Sequence, residues 1–217
     1  MPQSGPPAPS IAPTPQANPI TSAVEATVAR GTARLAIDAL LADPAPTGRA
    51  LRGQGVIDMI QGTSELTWSD DVDPQWQVRE IILKDAAYFS SDGLAWDEVP
   101  TGVITPTAEL AKPLRDLANA TGVTLEGTEV LQGQELRRYA VQLPLEAVGF
   151  GFTEPERSDL EPILTVTALV WVDEQGRISR VLRTLTTQAG AVATTDSRLS
   201  EFSEPVTIRS PVSSAAG

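Results

Sequence analysis

Serine, lysine and carboxylate side chains are the groups in this chain best suited to acid–base or nucleophilic chemistry, because its 217 residues include no His and no Cys. That absence removes thiol nucleophiles, disulfides, the usual zinc ligand sets and histidine general-base catalysis. A Ser–Lys dyad would have to use Lys84 or Lys112, the two lysines present, and no G-x-S-x-G turn presents a nucleophile. Asp38, Asp58, Glu80 and Asp173 fall within expected strands or at their ends. Each reads as lying on the outer phase of its strand or in a turn, whereas a glycosidase needs two carboxyl groups facing one another. Asp70-Asp71-Val72-Asp73 resembles a fragment of a calcium loop but lacks the glycine and the distal glutamate. Gly53-Gln54-Gly55 and Gly149-Phe150-Gly151 are too short to cradle a phosphate and read as turn punctuation. Asn119-Ala120-Thr121 matches a glycosylation sequon, which matters only in a eukaryotic secretory setting. The residues predict a non-catalytic protein with no cofactor and no metal.

Charge narrows the partners. The formal net charge is −12, from 16 basic and 28 acidic residues. A phosphate backbone requires clustered cations, and here the arginines are scattered, so nucleic acid is excluded as an expected partner. An anionic membrane approached by charge alone is equally disfavoured. No run of 18 apolar residues spans a bilayer.

The elements that would position any site follow from periodicity. Proline crowds residues 1–19 (Pro2, Pro6, Pro7, Pro9, Pro13, Pro15, Pro19), a composition expected to form a disordered tether. A Pro-rich stretch directly after Met1 reads as the stalk of an exported protein whose leader has been removed. Residues 20–209 form the expected single domain, and 210–217 a second disordered tail. A short helix is predicted over 22–29, capped by Ser22. From Thr32 the period changes to two, with Leu35, Ile37, Ala39 and Leu41 on one face. Further strands are predicted at 55–60, 65–68, 76–83, 87–90, 94–99, 123–131, 135–143, 165–173, 178–188 and 191–202, with a possible last edge at 205–208. The strongest helix is predicted over 107–119, where Leu110, Leu114 and Leu117 share a stripe and Pro113 marks a kink or the first turn. Connections are too short for parallel crossovers. The fold class is therefore α+β: a large twisted antiparallel sheet covered on one face by a few short helices.

The order of segments carries a family resemblance. GTARLAIDA and GQGVIDM are followed by VREIILKDAAYFSSDGLAWDEV, TAELAKPLRDL, GTEVLQGQELRRYAVQL and LVWVDEQGRISRVLRT. The phrases W-D-E-V, G-x-E-x-x-x-G-x-x-x-x-R-Y and V-W-V-D-x-x-G-x-I occur in that order. Over residues 20–211 the chain resembles actinobacterial envelope lipoproteins of the LppX and LprG type, relatives of the LolA/LolB lipoprotein carriers. The resemblance implies a half-barrel sheet wrapped over helices, with an apolar cavity for the acyl chains of lipids or glycolipids. It also implies an extracytoplasmic location in the cell envelope and a membrane anchor on a lipid-modified N-terminal Cys, which this chain lacks. An envelope protein is a second possible partner, bound by a filled-core module on the same scaffold.

Such a cavity needs a concave sheet face with more apolar area than the helices fill. Leu35, Ile37, Ala39, Leu41, Val56, Ile81, Leu83, Leu110, Leu114, Val141 and Leu169 are the candidate lining, and any of them could instead be ordinary core. Phe150 and Phe152, in the glycine-flanked loop, are candidates for an entrance. Burying ~15 methylenes at ~0.8 kcal/mol each would yield on the order of 12 kcal/mol before ordering costs.

Overall fold

The computed structural model describes residues 18–42, 49–100, 111–131, 133–145, 163–188, 190 and 192–211. Among these, helix α1 (Pro19–Val28) comes first. Its expected cap, Ser22, falls inside the helix; Asn18 caps instead, its side-chain oxygen accepting the Ile20 N–H at 2.9 Å, with Pro19 in the first turn, where no N–H is missed. Ile20, Ala23, Val24 and Thr27 form its buried face.

Six strands follow: β1 (Thr32–Ala42), β2 (Arg49–Asp58), β3 (Thr63–Asp70), β4 (Gln77–Ile82), β5 (Ala86–Ser90) and β6 (Asp97–Pro100). Helix α2 (Ala111–Asp116) continues into a 3₁₀ turn, Leu117–Asn119. The chain then returns through β7 (Gly122–Leu131), β8 (Gln134–Leu143), β9 (Ile163–Val172), β10 (Ile178–Thr187) and β11 (Val192–Ser200). These strands make one eleven-stranded sheet in the order β6-β5-β4-β3-β2-β1-β11-β10-β9-β8-β7. Every neighbouring pair is antiparallel. Two meanders thus meet where the first strand pairs the last, and β6 and β7 remain as edges. The sheet is an open, curled half-barrel.

Register sorts the side chains. Leu35 lies opposite Gly55 on β2 and Leu199 on β11; Gly55 lies opposite Leu66, and Leu66 opposite Glu80. In the other direction Ile37 leads to Ser197, Val181, Val170 and Tyr139. These positions form the concave face, on which α1 and α2 pack. Ile20, Val24, Leu35, Leu66, Leu117 and Val170 belong to a single buried cluster. Each large aliphatic so buried contributes about 1.5–3 kcal/mol relative to exposure. Thr27 pins α1 to the sheet: its hydroxyl donates to Ala23 O at 2.6 Å and accepts the Ile178 N–H at 2.8 Å. Ile178 sits at a register shift, so the threonine supplies the partner that the ladder omits there.

Residues 205–208 do not form the expected edge strand. Because β11 is interior to the sheet, the chain leaving it has no free edge beside it. Glu201 and Ser203, both at positive φ, turn it out of the sheet. Ser203 N–H then donates to Thr32 O at 2.9 Å, and Ile208 packs against a second, smaller cluster of Ile81, Ala86 and Tyr88.

Two glycines on the concave side of β2 allow close approach. A Cβ at Gly55 would lie 1.9 Å from the Glu65 carbonyl oxygen on β3, and one at Gly53 would lie 2.9 Å from the Trp68 ring. No side chain fits without moving backbone at Gly55. By contrast, a Cβ at Gly122 would meet Gln142 at 3.7 Å, an ordinary contact. Gly55→Ala should therefore destabilise the protein by about 1–3 kcal/mol, while Gly122→Ala should stay within about 0.5 kcal/mol of the parent. Urea unfolding of the two variants checks this, and equal midpoints would contradict it.

Candidate functional site

The concave wall is the place where the expected lining residues can be tested against register. Leu35 and Ile37 are there, 6% and 8% exposed, and Val141 is there at 3%. Leu114 of α2 packs into the same cluster from the helical side. Ala39 follows Ile37 on this face and is half-buried. Leu41 follows at the end of β1, and its side chain lies outside the described residues, as do Leu110, Phe150 and Phe152.

Val56, Ile81 and Leu169 are corrections. Val56 pairs with Arg34, Ile81 with Glu65, and Leu169 with Ala140 and Leu182, all on the convex face. Each has an apolar neighbour in sequence (Ile57, Ile82 and Val170), and it is that neighbour which points inward. Alternation alone cannot choose between two adjacent apolar residues; pairing parity does. Leu83 joins Ile81, Ala86, Tyr88, Trp96 and Ile208 in the small cluster away from the concave face.

The concave face also carries polar groups that periodicity assigned elsewhere. Glu80 was expected to face solvent, yet its register places it beside Leu66 on the inner wall. Trp68 lies across Gly53, and its indole N–H donates to Glu80 Oε2 at 2.6 Å. Burial pushes the Glu80 carboxyl above the ordinary glutamate range, and the Trp68 hydrogen bond offsets only part of that rise. Arg183 of β10 is the second such group, lying between Ala168 on β9 and Thr195 on β11. It is 8% exposed, and its Nη2 donates to the Pro113 carbonyl of α2 at 2.6 Å. Among the described residues its Nε has no hydrogen-bond partner. Beside it on α2, Lys112 Nζ holds both oxygens of Asp116, at 2.9 and 2.7 Å.

The remaining expected carboxylates have structural partners. Asp58 accepts from the Ile60 and Gln61 N–H groups at 3.0 and 2.9 Å, and Asp173 accepts from Arg177 N–H and Nε at 2.8 and 2.7 Å. Asp38 takes part in a ladder of charges across the convex face. Arg52 reaches Asp38 at 3.5 Å and Asp71 at 2.9 Å. Arg198 bridges Asp38 and Asp196. Arg180 grips Asp196 with two hydrogen bonds, at 2.8 and 2.9 Å, and stacks 4.5 Å over Trp171. The Trp171 indole donates to Glu129 at 2.9 Å, which Arg138 approaches at 3.4 Å. Burial alone would raise the Asp196 pKa, but its bonds from Arg180 and Arg198 outweigh that and hold it below the ordinary aspartate value. Alongside this ladder runs a groove of about 650 Å³ lined by Ala36, Leu136, Arg180, Arg198 and Phe202.

The Glu80 shift has a sign. The folded protein keeps the Glu80 proton to higher pH than the unfolded chain, so its contribution to stability is greatest in acid and declines as pH rises toward the folded value. Glu80→Gln should remove that decline, so the variant should gain on the parent between acidic and neutral pH in urea unfolding. An offset independent of pH would overturn this assignment.

No protein-family model matches this sequence, and no curated protein matches it either. Solved structures do match by shape. The lipoprotein LppX of Mycobacterium tuberculosis aligns with a TM-score of 0.60 at 13% identity, over 88% of this chain and 96% of that one. LprF of Mycobacterium bovis aligns with a TM-score of 0.51 at 13% identity, over 89% and 95%. A LolA superfamily protein of Nitrosomonas europaea aligns over 88% and 92% at 8% identity, with a TM-score of 0.41. This chain has the LppX-type fold, one curled antiparallel sheet with short helices against its concave face.

Proposed function

We propose that this protein binds the acyl chains of a lipid or glycolipid between the concave sheet face and its covering helices, and carries or presents them at the cell envelope. The observation that carries the reading is the make-up of the concave wall. Ala33, Ala39, Ala168 and Ala193 put small residues at positions where a closed core would place large ones, while Leu35, Ile37, Leu66 and Val141 keep the wall apolar. A wall of this kind is both greasy and shallow, which suits flexible chains better than it suits a self-filled interior. The LppX-type fold and the order of sequence segments support the same reading. Shielding methylenes from water requires no covalent chemistry. On this reading the protein acts outside the cytoplasm.

A protein-interaction module on the same scaffold is the second reading, favoured by the convex groove beside Arg180, Arg198 and Phe202. Organic extraction of the purified chain, followed by mass spectrometry, separates the two. Co-purifying acyl lipid is expected. Ala39→Trp, which projects a large ring from a half-buried position of the concave wall, should abolish lipid recovery while costing less than about 1.5 kcal/mol of stability. A lipid-free parent that also takes up no added lipid would defeat the carrier reading. Loss of several kcal/mol in the variant would mark a closed core.

A further inference from the structure

Arg183 is a cation held where a cation is expensive. It lies on the concave face, more than nine-tenths buried, and among the described residues its one hydrogen bond goes to a neutral carbonyl, that of Pro113. The nearby carboxylate, Asp116, offsets part of that cost by its charge, but both of its oxygens accept from Lys112. Among the described residues Nε is left buried with no hydrogen-bond partner. Native proteins leave few buried donors unmet, and those on charged groups are the costliest. A strand position flanked by Ala168 and Thr195 would accept an aliphatic residue at lower cost, and the neighbours on the same strand, Val181 and Leu185, are of that kind.

We infer that Arg183 is the anchor for an anionic head group, a carboxylate or phosphate, whose acyl chain lies along the concave wall. This rests on the lipid-binding reading above and narrows its ligand class to anionic amphiphiles. Nε–H and the Nη2–H beside it form one edge of the guanidinium, and that edge matches two oxygens of a carboxylate or phosphate. The anion would satisfy the orphaned donor and neutralise a charge that burial otherwise penalises. Arg183's cross-strand neighbours, Ala168 and Thr195, carry short side chains. Ile37 and Ala39, the concave-facing residues of β1 near Arg183, supply apolar surface for the chain.

The test uses the delipidated full chain and three probes: oleate, methyl oleate and inorganic phosphate. Oleate should bind at least about tenfold more tightly than its methyl ester, the margin of a charge-assisted hydrogen bond. Arg183→Met, which keeps an unbranched side chain reaching about as far as Nε without the charge, should remove that preference. Equal affinity of the parent for oleate and methyl oleate would overturn the anchor while leaving the lipid reading intact. Binding of neither would overturn both. Phosphate raising Tm in an Arg183-dependent manner, with no uptake of either oleyl probe, would show a site for a free anion and likewise overturn the anchor. Should Arg183→Met fail to fold, the comparison of the two oleyl probes on the parent decides alone.

Discussion

The pairing of β1 with β11 is the contact on which the rest of the molecule depends. Each meander is a chain of local hairpins, and neither encloses anything by itself. Joining them requires β1 to find a strand about 160 residues downstream, as the Arg198–Asp38 contact illustrates. Ordering that much chain costs loop entropy that only the completed core offsets. β1 is suited to the task because its two faces are unlike. Leu35 and Ile37 enter the core, while Asp38 on the other face lies between Arg52 of β2 and Arg198 of β11. A slip of one residue would bury the aspartate and expose the leucine, so both faces enforce the same register.

The convex ladder follows from that seam. Exposed ion pairs contribute between nothing and about 1 kcal/mol each, and several members here are half exposed. Their role is better understood as choosing among alignments than as supplying stability. Arg180 is the exception in degree: it is more enclosed, grips Asp196 twice and stacks on Trp171. Through Trp171 and Glu129 the alternation of charge reaches β7, so one set of polar contacts crosses seven strands. A chain with a net charge of −12 thereby places much of its scarce positive charge on its own sheet.

The concave face answers to a different requirement. Gly53 and Gly55 give up side-chain contacts so that Trp68 and the β3 backbone can approach. Elsewhere on the face the small side chains of Ala33, Ala39, Ala168 and Ala193 keep the apolar wall shallow. Two ionisable groups, Glu80 and Arg183, are set into that wall, and burial disfavours the charged form of each. A face selected for stability alone would hold neither. On the proposed reading, their presence fits a wall whose residues serve binding as well as folding.

Local chemistry was legible in the sequence. Period-two alternation in 32–42 and 135–143, turn residues between hairpins, and the absence of His and Cys led to an antiparallel α+β fold without recognised catalytic machinery. The segment order pointed to the LppX type, and the structure has that fold. What the sequence could not decide was parity where two apolar residues are adjacent. Val56, Ile81 and Leu169 each look like lining until the ladder places Ile57, Ile82 and Val170 inward instead. Glu80 and Arg183 were missed for the same reason: a charged residue in a strand reads as wet unless its cross-strand neighbours are known. The one local signal was that each shares its phase with inward apolar positions, Val78 and Ile82 for Glu80, Val181 and Leu185 for Arg183. Alternation is a property of one strand and is written in the chain, whereas the identity of the buried face is a property of neighbouring strands and exists only once they pair.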